Sequence, residues 1–186
     1  GIVGRRRTVL TSMFRSGRAR RFMELVRKHR LTNREWDRCQ RYPQAARSSC
    51  IWAGGGATAE IGGTVSVIDT ATNEVTKKIT FEVPGVLPEA LQPVGLRVTA
   101  DGAKAYVALG PANRVAVLDL ASLEVKDYLL VGQRVWQLAF SPDGKFLYTT
   151  NGNSNDISVI DTATDEVTVS VPVGEQPWGV VAVKSD

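Results

Sequence analysis

Three aspartates recur at one point of a repeated phrase: Asp69, Asp119 and Asp161. Carboxylates that converge can act as general acids and bases or as ligands for hard cations. Each of these, however, closes a V-[IL]-D triplet and directly precedes Thr-Ala-Thr or Leu-Ala-Ser. A short acidic side chain in that place bonds the backbone N–H groups two and three residues on, so the expected role is turn formation. The other chemistry-bearing types are sparse. His29 is the single histidine, and Cys39 and Cys50 have neither a C-x-x-C spacing nor histidine partners. Residues 51–186 contain no His or Cys, which removes Ser-His-Asp and Cys-His devices and His-ligated zinc or haem from that region. The stretch AGGGA (53–57) lacks the Lys-Ser/Thr of a phosphate-binding loop. The expectation is a chain without catalytic residues, metal ligands or cofactor, and so not an enzyme.

The elements that carry these residues are repeated. Tyr106 and Tyr148, Asp119 and Asp161, and Trp136 and Trp178 each stand 42 positions apart. Asp69 and Asp119 stand 50 apart, and the 8 extra residues fall within the Pro-rich FEVPGVLPEALQPVG (81–95). A period near 42, built from short alternating segments, is that of a four-stranded propeller blade and not of a helical solenoid. TVSVIDT, RVAVLDL and DISVIDT alternate as strands. TADG (99–102) and SPDG (141–144) are turns in which glycine takes positive φ. One order emerges: inner strands near 94–100, 135–141 and 177–183; second strands near 104–109 and 146–151; third strands near 64–69, 114–120 and 156–161; outer strands near 74–81, 123–131 and 166–173. That predicts half a blade, two full blades and a final inner strand. Stacked neighbours would bury the faces that a lone blade leaves bare.

Such blades place their outer-to-inner and second-to-third loops on one face. Asn113, Arg114, Arg134, Asn151, Asn153, Asn155 and Gln176 are expected there as exposed polar groups, a candidate recognition surface. Arg97 stands where later repeats have Ala139 and Val181, and a charge on an inner strand could face a central channel; a rim or ion-paired arginine is the plainer reading. Trp136 and Trp178 could form a stacking platform, although their apolar strand-mates favour blade core.

The phrase YTTNGNSNDISVIDTATDEV (148–167) resembles the YVTN-type β-propeller repeat, with Tyr148, Thr150 and Asn151 matching three letters of its tetrad and Tyr106-Val107 matching two. EIGGTVSVIDT, LGPANRVAVLD, YLLVGQRVWQLAFSPDG and PVGEQPWGVV are similar to the C-terminal blades of a bacterial propeller group associated with pyrroloquinoline-quinone-dependent catabolism. The resemblance covers about residues 60–186. It implies an all-β, partial propeller of about two and a half to three blades out of a presumed seven. It further implies an exported, periplasmic parent and a non-catalytic binding or scaffold module linked to quinone-dependent alcohol oxidation. A metal-dependent lactonase-type propeller is the enzymatic alternative that the fold permits. The partners implied are a protein partner or further blades, with self-association through open blade edges.

Residues 1–58 read differently from residues 59–186. Residues 1–50 hold 14 basic against 3 acidic residues, a net +11, whereas residues 51–186 hold 9 against 16, a net −7. Arginine outnumbers lysine 13 to 1 in the first part, and lysine outnumbers arginine 6 to 3 in the second. Short basic helices that touch phosphates, an out-of-frame reading of GC-rich DNA and a fusion all accommodate this break. No nucleic-acid motif accompanies the charge, so nucleic-acid contact through this arm is the lesser alternative. No run of 18 apolar residues exists, so no membrane-spanning helix is expected.

Overall fold

The chain divides into two units, Gly1–Ala46 and Arg47–Asp186. The computed structural model describes residues 54–184, all in the second unit. The expectations for the basic segment, including His29, Cys39 and Cys50, lie outside the described residues.

Among the described residues, eleven strands form three antiparallel sheets. The first contains β1 (Gly54–Ala59), β2 (Thr64–Asp69) and β3 (Glu74–Thr80) in that order. The second contains β4 (Leu96–Val98), β5 (Lys104–Ala108), β6 (Arg114–Asp119) and β7 (Glu124–Leu130), again in sequence order. The third contains β8 (Val135–Phe140), β9 (Phe146–Asn151), β10 (Asp156–Asp161) and β11 (Glu166–Pro172). A single 3-10 turn, Pro88–Ala90, stands in the longer connection between β3 and β4. The sheets are called blades 1, 2 and 3 below.

The same tight turns recur because the same backbone needs recur. Gly102 and Gly144, 42 residues apart, take φ of 73° and 76° in the turns before β5 and β9. Asn73, Leu123 and Asp165 take φ near +60° in the turns before β3, β7 and β11. In each turn before a second strand an aspartate is the latch: Asp101 Oδ1 accepts from Thr99 Oγ1 at 2.6 Å and from the Ala103 amide at 3.0 Å. Asp143 Oδ1 accepts from Ser141 Oγ at 2.6 Å and from the Lys145 amide at 3.1 Å. Both carboxyls are held below the usual 3.8, first by those hydroxyl bonds.

Each face buried between blades is a periodic row. Val65, Val67, Ile79 and Phe81 of blade 1 pack with Ala105, Val107, Leu109, Ala116 and Leu118 of blade 2. On the other side of blade 2, Tyr106, Val115, Val117, Leu129 and Val131 pack with Val135, Leu138, Leu147 and Ile160 of blade 3. Burying each such aliphatic side chain contributes roughly 1.5–3 kcal/mol, so these two seams hold the blades together.

Two elements differ from the sequence expectation. The sequence pattern predicts no strand at β1, because GGGATA carries almost no β-branched or aromatic residue. Pairing with β2, from Gly54↔Asp69 to Ala59↔Thr64, supplies what propensity lacks. Blade 1 therefore has three strands, and the β-region takes in residues ahead of position 58. Conversely, residues 177–183 form no strand. Trp178, Val181 and Val183 are well exposed, and no neighbouring strand is paired with this segment among the described residues.

Candidate functional site

The loops between second and third strands meet those between outer and inner strands, and asparagines join them. Asn113 (φ 56°) accepts at Oδ1 from the Arg134 amide at 2.8 Å, while its carbonyl accepts from the Val131 amide. Asn155 (φ 59°) repeats both bonds one blade on, with the Gln176 amide at 2.9 Å and the Val173 amide. Asparagine tolerates the left-handed region and reaches locally with its amide, so its use here is physical. Blade 1 has Gly63 (φ 61°) at that place, which satisfies the backbone without supplying a tether. The connection it would hold is the one that carries the 8 extra residues.

These contacts separate the candidate residues. Asn113 and Asn155 hold loops in place. Asn151, expected to be exposed, is fully buried: its Nδ2 donates to Asp156 Oδ1 at 2.7 Å and to Ser158 Oγ at 3.0 Å, and its Oδ1 accepts from Thr149 Oγ1. A polar residue at the end of an interior-facing strand is sequestered when every group finds a partner, and here each does. Asn153 is exposed, with its amide on the Gln133 carbonyl. Gln176 is exposed on its loop. Arg114 is half-buried and donates to the Asn113 carbonyl at 3.4 Å. Arg97, exposed on β4 and in register with Tyr106, donates to the Leu96 carbonyl at 2.8 Å and stays apart from the loop cluster. Partial desolvation lowers its pKa below the usual guanidinium range.

Arg134 lies at the centre of the cluster. Its backbone takes φ of 55°, and its guanidinium carbon stands 4.4 Å from the centroid of the Trp136 ring, within cation–π range. Its Nη2 lies 3.9 Å from Glu60 Oε1. The Trp136 ring in turn stands 5.5 Å from that of Trp178, at 37°. Trp178 is 65% exposed, so the expectation that it belongs to blade core is corrected. The segment that carries it has no strand on its far side to bury it. Two features set the pair in place. Thr150 Oγ1 donates to the Trp178 carbonyl at 2.7 Å, and a Cβ added at Gly152 would stand 2.7 Å from Trp136 Nε1. A glycine is thus required for the indole to lie against the loop. The sequence signal for the pair was the 42-residue Trp spacing; the arginine over the ring had no signal beyond its place two residues earlier.

Asp69, Asp119 and Asp161 do not converge. Each accepts backbone amides within its own turn, Ala71 at 2.7 Å, Ala121 at 2.9 Å and Ala163 at 2.8 Å. Among the described residues no group of three or more His, Cys, Asp or Glu side chains is placed to hold a metal ion, and no helix is long and apolar enough to cross a membrane.

Antiparallel sheets of three or four strands, stacked face to face in sequence order, define the blades of a β-propeller, three of them among the described residues. Solved structures bear this out. The chain is similar to hydrazine synthase of Kuenenia stuttgartiensis, at 28% identity and a TM-score of 0.59, over 68% of this chain and 34% of that one. It is also similar to the dihydro-heme d1 dehydrogenase NirN, solved in complex with DHE, at 18% identity and a TM-score of 0.54, over 66% and 24%. Both are β-propeller proteins. The match thus spans about a third of the hydrazine synthase chain. No family model matches the sequence, and no curated protein does.

Proposed function

We propose that the chain is a binding module whose loop face holds a planar, negatively charged ring system of the quinone class on the Arg134–Trp136–Trp178 stack. The observation that carries this reading is the exposed Trp178 ring, backed by Trp136, over whose own ring the Arg134 guanidinium stands. A large exposed aromatic stacked on a second one offers a flat apolar surface, and stacking of a planar ring on such a side chain is worth about 1–3 kcal/mol. Arg134 supplies a positive charge for an anionic substituent, and its planar fork suits a carboxylate. The resemblance to the quinone-associated propeller group supports the ligand class and a periplasmic setting. The role is one of capture and presentation, not turnover.

Pyrroloquinoline quinone is the probe. Calorimetric titration of the full chain is expected to give saturable binding at one site, and Trp178→Ala is expected to weaken it at least about tenfold, the equivalent of 1.4 kcal/mol. Absence of saturable heat, or unchanged affinity in Trp178→Ala, would contradict the reading.

A further inference from the structure

Two charged residues break the repeat on the loop face, and they face each other. Arg134 stands where the repeat elsewhere has Gln92 and Gln176, and Glu60 stands where it has Gly110 and Gly152. Contacts fix this phase: Thr58 Oγ1 donates to the Val94 carbonyl at 2.8 Å, and its equivalent Thr150 Oγ1 donates to the Trp178 carbonyl at 2.7 Å. A side chain at either glycine is crowded. A Cβ at Gly110 would stand 3.0 Å from the Gln92 carbonyl, and one at Gly152 would stand 2.7 Å from Trp136 Nε1. The fold needs neither charge, since the repeat builds the same loops with Gln and Gly. Yet Arg134 Nη2 lies 3.9 Å from Glu60 Oε1.

The backbone of Arg134 is clamped and its side chain is not. The amide donates to Asn113 Oδ1 at 2.8 Å, and the carbonyl accepts from the Gly152 amide at 3.0 Å. Among the described residues the guanidinium has two partners, the Trp136 ring at 4.4 Å from its centroid and the Glu60 carboxylate. A separation of 3.9 Å is too long for a hydrogen bond. The two side chains are also 31% and 40% exposed. An ion pair of this kind contributes little and opens readily. A ligand carboxylate that meets the same guanidinium through two hydrogen bonds, at about 2.7–2.9 Å, is the stronger partner.

We propose that Glu60 is an exchangeable counter-ion that sets the specificity of the ring site. It holds Arg134 while the site is empty and releases it to a carboxylate on the incoming planar ring. The inference rests on the stacking role of Trp178 and adds the rule by which the site chooses. An uncharged ring leaves the pair in place and gains only the Trp178 face. A ring whose acid group reaches Arg134 gains an ion pair, offset by the loss of the Glu60 contact. A ring whose negative charge lies elsewhere meets Glu60 as a repulsive neighbour. Discrimination thus comes partly from a built-in repulsion.

Titration of the full chain with two probes, followed by quenching of tryptophan fluorescence, tests this. Pyrroloquinoline quinone carries carboxylates, and phenanthrenequinone is a planar quinone without charge. Glu60→Gln is expected to tighten the first about threefold, the scale of an exposed ion pair, and to leave the second unchanged. Arg134→Gln is expected to weaken the first about threefold or more. Glutamine takes the required backbone at this place, as Gln176 does with φ of 48°. In the Arg134→Gln background the gain from Glu60→Gln is expected to shrink, because Glu60 acts through that guanidinium. An equal gain there would make Glu60 a repulsive neighbour only and overturns the exchange. Equal tightening of both probes by Glu60→Gln overturns it too. So does binding of pyrroloquinoline quinone that is weakened in Trp178→Ala yet unaltered in Glu60→Gln, a result that leaves the stacking role of Trp178 standing. Absence of saturable binding in both the wild type and Glu60→Gln overturns the stacking role together with the exchange.

Discussion

At the residue scale, small side chains decide where larger ones can sit. Gly132 is the sharpest case. A Cβ there would stand 2.4 Å from Asp156 Oδ1, 2.5 Å from Ser154 Oγ and 2.6 Å from Asn151 Nδ2. Those three atoms belong to one network, in which Ser154 and Asn151 both donate to Asp156. The network also receives the loop, through the Gln133 amide on Ser154 Oγ at 2.8 Å. Gly132→Ala is therefore expected to destabilise by roughly 1–3 kcal/mol through overpacking alone. Denaturant unfolding would show it, and a loss near zero would mean that the network yields freely. The tetrad letters in Tyr148-Thr149-Thr150-Asn151 gain a physical meaning here. Thr149 Oγ1 accepts the Ser158 amide and donates to Asn151, while Thr150 holds the Trp178 carbonyl. The sequence pattern showed these residues as a repeat signature. Their burial was not legible, because a run of Thr and Asn reads as surface until the sheet that covers it is known.

At the scale of the element, turns rather than strand propensity set the repeat. Asp101, Asp119 and Asp143 latch their turns as ionised carboxylates, and all three are held below the ordinary value. For Asp101 the main cause is the Thr99 hydroxyl, for Asp143 the Ser141 hydroxyl, and for Asp119 the Ser122 amide. A folded pKa below the unfolded one gives stability that is present above the unfolded value and lost as pH falls through the folded value. The unfolding temperature is thus expected to be insensitive to these groups from neutrality down to about pH 4, and then to fall as the turns protonate. Asp101→Asn should shallow that acid limb in a series of melts, and an unaltered limb would remove Asp101 from the account. Turn chemistry of this kind was readable in advance from Asp-Gly and the Asp-x-Ala phrases. β1 was not, since its pairing comes wholly from β2. Nor was the clasp between blades 2 and 3, where Lys104 Nζ meets Asp165 Oδ2 at 2.7 Å and Tyr106 donates its hydroxyl to the same carboxylate. Asp165 reads in sequence as a turn residue only, and burial, followed by that bond, raises the tyrosine's pKa above its usual 10.0.

At the scale of the whole molecule, the account rests on a division of labour between two kinds of apolar residue. Those on blade faces bind blades together, and Trp178 with Trp136 stands at the loop face, where the proposed ligand would stack. Periodicity alone made both look like core, because a 42-residue spacing says that a position is shared and not what covers it. Unfolding free energies of Trp178→Ala and Trp136→Ala, measured beside their quinone affinities, separate the two roles most directly. The account predicts that Trp178→Ala costs under about 1 kcal/mol of stability, as a surface change does, while it lowers affinity at least about tenfold. Trp136→Ala, half-buried under its neighbour, should cost more stability than Trp178→Ala and also weaken binding. A loss of about 3–5 kcal/mol in Trp178→Ala, the cost of emptying a packed core site, with affinity unchanged, would contradict the central claim.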